Sequence, residues 1–131
     1  MTTSQSLDIA KKVLEIEAAA VAALAKRLDA NFTKAVDLIF ETTGKCVVSG
    51  MGKSGIIGQK ISSTLASTGT PSFFLHPAEG MHGDLGMIMK NDIVIAISNS
   101  GETEELVKIL PVIKRMGVKM IAMTGRLGST L

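Results

Sequence analysis

Four short apolar segments, separated by stretches of helical length, constrain the fold of this chain more than any other feature. The segments cover residues 46–49, 72–75, 93–97 and 118–123. Strands buried on both faces form such continuous apolar runs, and helical connections between them place the strands in parallel. We therefore predict an α/β fold with a parallel sheet covered by helices on both faces, and helices at 54–67 and 102–116.

Two helices are expected before the first strand. Apolar residues recur at helical spacing from residue 7 to residue 28, on more than one face, with Ser6 as the cap. Asn31 can cap a second helix that closes near Gly44. A helix that is apolar on two sides packs either in a groove of its own domain or also on another subunit, and both alternatives stay open. Residues 1–43 are thus expected to lead into a core at 44–131.

The composition limits the classes of function. At 131 residues the chain has room for one domain, and a net charge of +2 without a basic cluster argues against nucleic acid and membranes as partners. The start resembles no secretion signal, and no apolar run is long enough to span a bilayer. The single cysteine, Cys46, fits a reducing compartment. We expect a cytoplasmic protein.

Three of the predicted strands end in polar or glycine-rich loops. We call Gly50–Gly55 the glycine loop, His76–Gly86 the histidine loop and Ser98–Thr103 the hydroxyl loop. Ligands of parallel sheets bind beyond the carboxyl ends of the strands, where the strand order reverses. The three loops should therefore lie side by side at one edge of the sheet.

The hydroxyl loop has the composition of a phosphate site. Ser98, Ser100 and Thr103 can donate hydrogen bonds, and the loop ends where a helix begins. Backbone N–H groups and the helix dipole at such a position favour an anion. The loop therefore predicts binding of a phosphate monoester.

The glycine loop resembles two nucleotide motifs, but neither is complete. A P-loop needs a glycine five positions before Gly52, where Val47 stands, and a dinucleotide site needs an acid at the end of the second strand, which is missing. What remains is a glycine-lined anion pocket with one cation, Lys53, and one hydroxyl, Ser54. Gly58, within the following helix, is expected only to allow close packing.

The histidine loop offers two histidines and two acids, at His76, Glu79, His82 and Asp84. Their spacing matches no known metal site, so a structural or substrate-binding role is favoured, with a metal at His82 as the alternative. His82 is the better candidate for contact with a polar ligand. Glu105 lies one turn after the hydroxyl loop and could face either the edge of the sheet or solvent.

Four segments together resemble a known family. The hydroxyl loop resembles the S-x-S-G-x-T phosphate loop of SIS (sugar isomerase) domains. The glycine loop, Ser67–Pro71 and His82–Gly86 resemble the arabinose-5-phosphate isomerases within that family. The resemblance extends from about Gly44 to the last residue.

This resemblance implies a flavodoxin-like sheet and an aldose–ketose isomerisation between D-arabinose 5-phosphate and D-ribulose 5-phosphate, through a cis-enediol, in the synthesis of the lipopolysaccharide sugar KDO. It also implies a cytoplasmic homotetramer or dimer and no organic cofactor. A sugar-phosphate sensor without catalysis is the alternative. The implied catalytic residues are Lys53, which stabilises the developing charge, and Glu105. The implied substrate and phosphate ligands are Gly52, Ser54, His82, Ser98, Asn99, Ser100 and Thr103.

Members of the family continue with a fifth strand, a further catalytic Glu and His, and often two CBS domains. The resemblance therefore implies an incomplete SIS domain without CBS domains in this chain. The fourth strand should be partly uncovered, and residues 126–131 should begin the next helix.

Overall fold

The computed structural model describes residues 3–131, with side chains from residue 5 onward. The chain divides into two compact units, one ending at Val36 and the other covering Asp37–Leu131. Helix α1 (Thr3–Leu24), a 3-10 turn (Ala25–Arg27) and helix α2 (Ala30–Phe40) precede the sheet. Across residues 3–131, every helix is too short or too polar to cross a bilayer.

Helix α1 differs from the sequence prediction at its start and in its burial. The helix already includes Thr3, so Ser6 lies inside it and is not its cap. Its apolar side chains are exposed, Leu14 at 66% and Val21 at 67%, and are not buried as the sequence pattern suggested. The apolar pattern predicted the helix correctly, but it does not indicate what covers the helix.

Helix α2 begins and ends earlier than its sequence pattern suggested. The carboxylate of Asp29 accepts the backbone N–H of Asn31 at 2.9 Å, so Asp29 is the capping residue and the prediction of Asn31 was wrong. The helix ends at Phe40 and not near Gly44. Gly44 instead lies against Asn91 and Asp92, where the space is too tight for a side chain.

The sheet has four parallel strands in the order β2-β1-β3-β4, as the alternating pattern predicted. The strands are β1 (Cys46–Gly50), β2 (Ser72–Leu75), β3 (Ile93–Ser98) and β4 (Lys119–Thr124). Helix α3 (Gly52–Ser67) connects β1 to β2, and helix α5 (Glu104–Arg115) connects β3 to β4. Strand β4 is an edge strand whose Ala122 and Met123 are exposed, which confirms that it is partly uncovered.

Each face of the sheet has its own apolar core, so the fold has three layers. One core combines strand residues with α5, and its members include Val47, Val94, Ala96, Leu106, Ile109 and Ile113. The other combines strand residues with α3 and the end of α2, and its members include Cys46, Val48, Ile93, Ile95, Ile61, Leu65, Leu38 and Ile39. The flavodoxin-like, doubly covered arrangement is confirmed.

Two segments differ in local structure from their sequence prediction. The histidine loop folds into helix α4 (Pro77–Met81) and a 3-10 turn (Asp84–Met87), because Pro77 at the first turn fixes a helical φ. Residues 126–131 were expected to begin a helix, but they form turns. The backbone N–H groups of Thr130 and Leu131 bond to the hydroxyl loop instead, as described below.

Candidate functional site

The strand register places the three loops next to each other, as predicted. Ser49 pairs with Leu75, and Gly50 pairs with Ile97, so β2, β1 and β3 end at the same edge of the sheet. Because β1 lies between β2 and β3, the glycine loop lies between the histidine loop and the hydroxyl loop.

The direction of the chain reverses between the glycine loop and the hydroxyl loop. Helix α3 carries the chain from β1 outward to β2, whereas α5 carries it from β3 outward to β4 on the other side. The loops that leave β1 and β3 therefore diverge and open a crevice between them. Parallel sheets bind ligands at such a crevice, and the candidate site is located there.

Glycines bring the start of α3 close to the end of β1. A side chain at Gly55 would lie 2.7 Å from the carbonyl oxygen of Gly50, and Gly52 begins the helix with φ +54°. Lys53 is exposed and Ser54 half-buried in the first turn of α3. This places a cation, a hydroxyl and the N-terminus of a sixteen-residue helix at the crevice.

The packing role predicted for Gly58 is confirmed. A side chain at this position would lie 3.1 Å from the ring of Phe74 and 3.3 Å from Val48. Gly58 thus holds α3 against the sheet and is not part of the site.

The hydroxyl loop is organised around Ser98, which is 2% exposed. The Ser98 hydroxyl lies 2.7 Å from the Thr103 hydroxyl and accepts the backbone N–H of Gly101 at 3.0 Å. Gly101 has φ +69°, a conformation that L-residues with side chains rarely adopt. These contacts turn the chain sharply between the end of β3 and the start of α5.

The remaining polar groups of the hydroxyl loop are more accessible. Asn99 and Ser100 are exposed, and the Ser100 hydroxyl accepts the backbone N–H of Glu102 at 3.2 Å. Thr103 is half-buried and precedes α5, where its carbonyl accepts the N–H of Val107 at 2.9 Å. The loop thus has two exposed polar side chains, Asn99 and Ser100, and its backbone turn is stabilised by the less exposed hydroxyls of Ser98 and Thr103.

The other predicted site residues lie on neighbouring elements. Glu105 is half-buried in the first turn of α5, directly after the hydroxyl loop. His82, Glu79 and Asp84 are exposed. The ring of His76 lies edge to face against the ring of Phe74, with 6.4 Å between the ring centroids. Over residues 3–131, no three His, Cys, Asp or Glu side chains are grouped as metal ligands would be.

One segment at the site was missed by the sequence analysis. The N–H of Gly125 donates to the Asn99 carbonyl at 3.1 Å, and the N–H of Leu131 donates to the Gly101 carbonyl at 3.0 Å. We call Gly125–Leu131 the post-β4 segment. It lies against the hydroxyl loop because Ser98 at the end of β3 pairs with Thr124 at the end of β4. The rule that parallel strands end at one edge could have predicted this contact.

The opposite edge of the sheet is held by a buried carboxylate. Asp92 accepts the N–H groups of Lys45 at 2.7 Å and Met89 at 2.8 Å, and it lies 3.4 Å from the Lys45 ammonium. Burial by itself raises the pKa of Asp92, but these partners outweigh it and hold that pKa below its ordinary value. A cavity of about 200 Å³ opens at this edge, where the strands begin. The three loops lie at the other ends of the strands.

Comparison with known proteins places the chain in a family. Residues 38–131 match the SIS domain. The chain belongs to the SIS domain family. The match starts in α2 and includes all four strands and the three loops of the candidate site, so the crevice described above is part of the SIS domain.

Individual relatives of this SIS domain include arabinose 5-phosphate isomerases. The chain is 53% identical over its whole length to the arabinose 5-phosphate isomerase KdsD of Pseudomonas aeruginosa, of which it spans 41%. It is 54% identical over 92% of its length to KdsD of Escherichia coli K12, of which it spans 37%. It therefore spans less than half the length of these relatives.

A solved structure also resembles the SIS domain closely. An Escherichia coli CFT073 protein, in complex with arabinose 5-phosphate, superimposes with a TM-score of 0.93 at 43% sequence identity. The superposition covers 98% of this chain and 69% of that one. The backbone described here is thus nearly the same as that of a protein with a bound ligand.

Proposed function

We propose that this SIS domain binds a pentose 5-phosphate and belongs to an enzyme that interconverts arabinose 5-phosphate and ribulose 5-phosphate. The observation that carries the proposal is the crevice between two helix N-termini, lined by the glycine loop and the hydroxyl loop. Identity of 53% to an arabinose 5-phosphate isomerase supports the choice of substrate.

The phosphate is assigned to the hydroxyl loop. Asn99 and Ser100 offer exposed side chains, and Ser98 and Thr103 offer less exposed hydroxyls that also keep the loop folded. Backbone N–H groups at the start of α5 favour an anion there. On the other side of the crevice, Gly52, Ser54 and His82 are assigned to the sugar. Anchoring the phosphate fixes the position of the reacting carbons, which removes much of the entropy cost of the reaction.

Lys53 and Glu105 are assigned to the chemistry. Interconversion of an aldose and a ketose moves one proton between C2 and C1 and a second between O2 and O1, through a cis-enediol. A carboxylate that takes and returns the proton on carbon accelerates such a step by about 10²–10⁴, and we assign that role to Glu105. The Lys53 ammonium stabilises the negative charge that develops on oxygen. No step of this scheme uses a metal or an organic cofactor.

The assignment is tested by calorimetric titration with arabinose 5-phosphate together with a turnover assay. We expect Lys53→Ala and Glu105→Ala to abolish turnover in the full-length enzyme while the ester still binds. Lys60→Ala on the exposed side of α3 and Glu104→Ala beside Glu105 are the matched controls and should retain both properties.

The outcomes separate the enzyme from its alternative. Binding of the ester without turnover by the full-length protein would support a sugar-phosphate-sensing module. Absence of binding would refute both functions. Normal turnover in Lys53→Ala or Glu105→Ala would refute the role of that residue.

The domain organisation and assembly are proposed as well. Residues 1–43 lead into a SIS core at 44–131, which is supported by the SIS match at 38–131. The exposed apolar side chains of α1, including Val13 and Ile16, support a homo-oligomer, a tetramer or dimer, in which they are covered. A monomer by light scattering at micromolar concentration would contradict the oligomer.

A further inference from the structure

Glu102 lies within the hydroxyl loop but contacts the post-β4 segment. Its carboxylate Oε1 accepts the backbone N–H of Thr130 at 2.8 Å. The hydrogen bonds from Thr130, with a smaller contribution from the nearby Arg126, hold the pKa of Glu102 below its ordinary value. Glu102 is therefore an acceptor-only carboxylate at neutral pH.

The contact through Glu102 is one of several between the same two stretches of chain. The carbonyls of Asn99 and Gly101 accept the N–H groups of Gly125 and Leu131. Side chains are excluded along this contact, because one at Gly101 would collide with Ser129, and one at Gly125 would lie 2.8 Å from the Asn99 side-chain oxygen. The two stretches are thus closely packed as well as hydrogen-bonded.

These contacts determine which way the peptide groups of the hydroxyl loop face. In a planar trans peptide, the C=O and N–H bonds point in opposite directions. Since the carbonyls of Asn99 and Gly101 point at the post-β4 segment, the N–H groups of Ser100 and Glu102 point away from it. The segment therefore sets the orientation of both N–H groups. That of Glu102 donates to the Ser100 hydroxyl at 3.2 Å and positions it, and that of Ser100 lies in the loop to which we assign the phosphate.

We propose that Glu102 is a positioning residue, which ties the post-β4 segment to the hydroxyl loop and thereby orients the Ser100 N–H and hydroxyl that receive the phosphate. The phosphate part of this inference rests on the proposed function. Glu102 touches neither substrate nor reacting atoms in this role, because it acts through Thr130 and the loop backbone.

Electrostatics and positioning predict opposite effects of removing this carboxylate. A negative charge in the loop repels a phosphate, so its loss alone would strengthen binding. If Glu102 instead positions the loop, its truncation weakens binding even though a repulsive charge has gone. Glu102→Gln removes the charge but keeps a carbonyl oxygen that can accept from Thr130, so it separates the two effects.

The test measures affinity for arabinose 5-phosphate and amide hydrogen exchange in the same variants. We expect Glu102→Ala to bind the ester about three- to tenfold more weakly, which is the scale of one exposed hydrogen bond. Glu102→Gln should bind as tightly as the unaltered protein or more tightly. Glu104→Ala, which removes an exposed carboxylate that pairs with Lys108, should not weaken binding.

Hydrogen exchange makes the result independent of the ligand. Glu102→Ala should accelerate exchange at Thr130 and also at Gly101, whose N–H donates to Ser98, while Glu102→Gln should restore protection at both. Unchanged exchange at Gly101, or ester binding by Glu102→Ala as tight as normal, would overturn the positioning role. Failure of the unaltered protein to bind any ester would refute the proposed function, and exchange at Gly101 would then decide alone whether Glu102 shapes the loop.

Discussion

Substitution of Ser98 by alanine should damage phosphate binding more than it damages the fold. The Ser98 hydroxyl is buried and makes two close contacts, with Thr103 at 2.7 Å and with the N–H of Gly101 at 3.0 Å. Two such hydrogen bonds contribute about 1–3 kcal/mol to the free energy of unfolding. Since Gly101 also donates to the Ser98 carbonyl at 3.2 Å, its N–H keeps one acceptor, which favours the lower half of that range.

A matched control exists at the opposite edge of the sheet. The Ser72 hydroxyl donates to the carbonyl of Cys46 at 2.6 Å and lies 3.1 Å from the Ser62 hydroxyl. Ser72→Ala therefore also loses one hydrogen bond with the backbone and one with a side-chain hydroxyl, but Ser72 lies at the start of β2, away from the crevice.

The two variants are compared by urea unfolding and by titration with arabinose 5-phosphate. Both should lose about 1–3 kcal/mol of unfolding free energy. Only Ser98→Ala should also lose affinity for the ester, by at least about tenfold, which corresponds to about 1.4 kcal/mol. If Ser98→Ala binds normally, or if Ser72→Ala loses as much affinity, then the hydroxyl loop does not hold the phosphate.

Two further predictions concern buried groups away from the crevice. The pKa of Asp92 is held below its ordinary value, so the ionised carboxylate stabilises the folded protein at any pH above the pKa of the unfolded chain. This stabilisation is lost as the pH falls through the pKa of Asp92 in the folded protein. Asp92→Asn should therefore flatten the acid side of the stability profile measured by urea unfolding, and an unchanged acid slope would contradict this. Burial raises the pKa of the Cys46 thiol to about 11, so iodoacetamide should label Cys46 in urea but hardly in the native protein at pH 8. Labelling is measured by mass spectrometry. Rapid labelling of the native protein would show that Cys46 on β1 is not buried as described.

The sequence was sufficient to predict the sheet because its strands are simple apolar runs. Ser72–Leu75 has the predicted bounds, β1 and β3 each extend one residue further, and β4 is shifted by one residue at both ends. Helix ends were less accurate, since several residues near a boundary can cap it. Asp29 and Asn31 are both good capping residues, and only the hydrogen bond between them decides which one acts.

Burial and the contacts of the candidate site were harder to predict than the strands. The apolar pattern of α1 indicated a helix but could not say whether its faces are covered within one chain. The contact between Glu102 and Thr130 joins residues far apart in sequence, and no local pattern marks it. By contrast, the adjacency of the three loops followed from a general property of parallel sheets and was predicted correctly.

The most direct test of the account is the change in backbone amide chemical shifts when arabinose 5-phosphate is added, compared with unphosphorylated D-arabinose. We predict that the ester shifts the amides of residues 98–103 and 52–55, whereas the free sugar leaves residues 98–103 unchanged. Shifts confined to the opposite edge of the sheet, around Thr42, Asn91 and Lys119, would contradict the assignment of the phosphate to the hydroxyl loop.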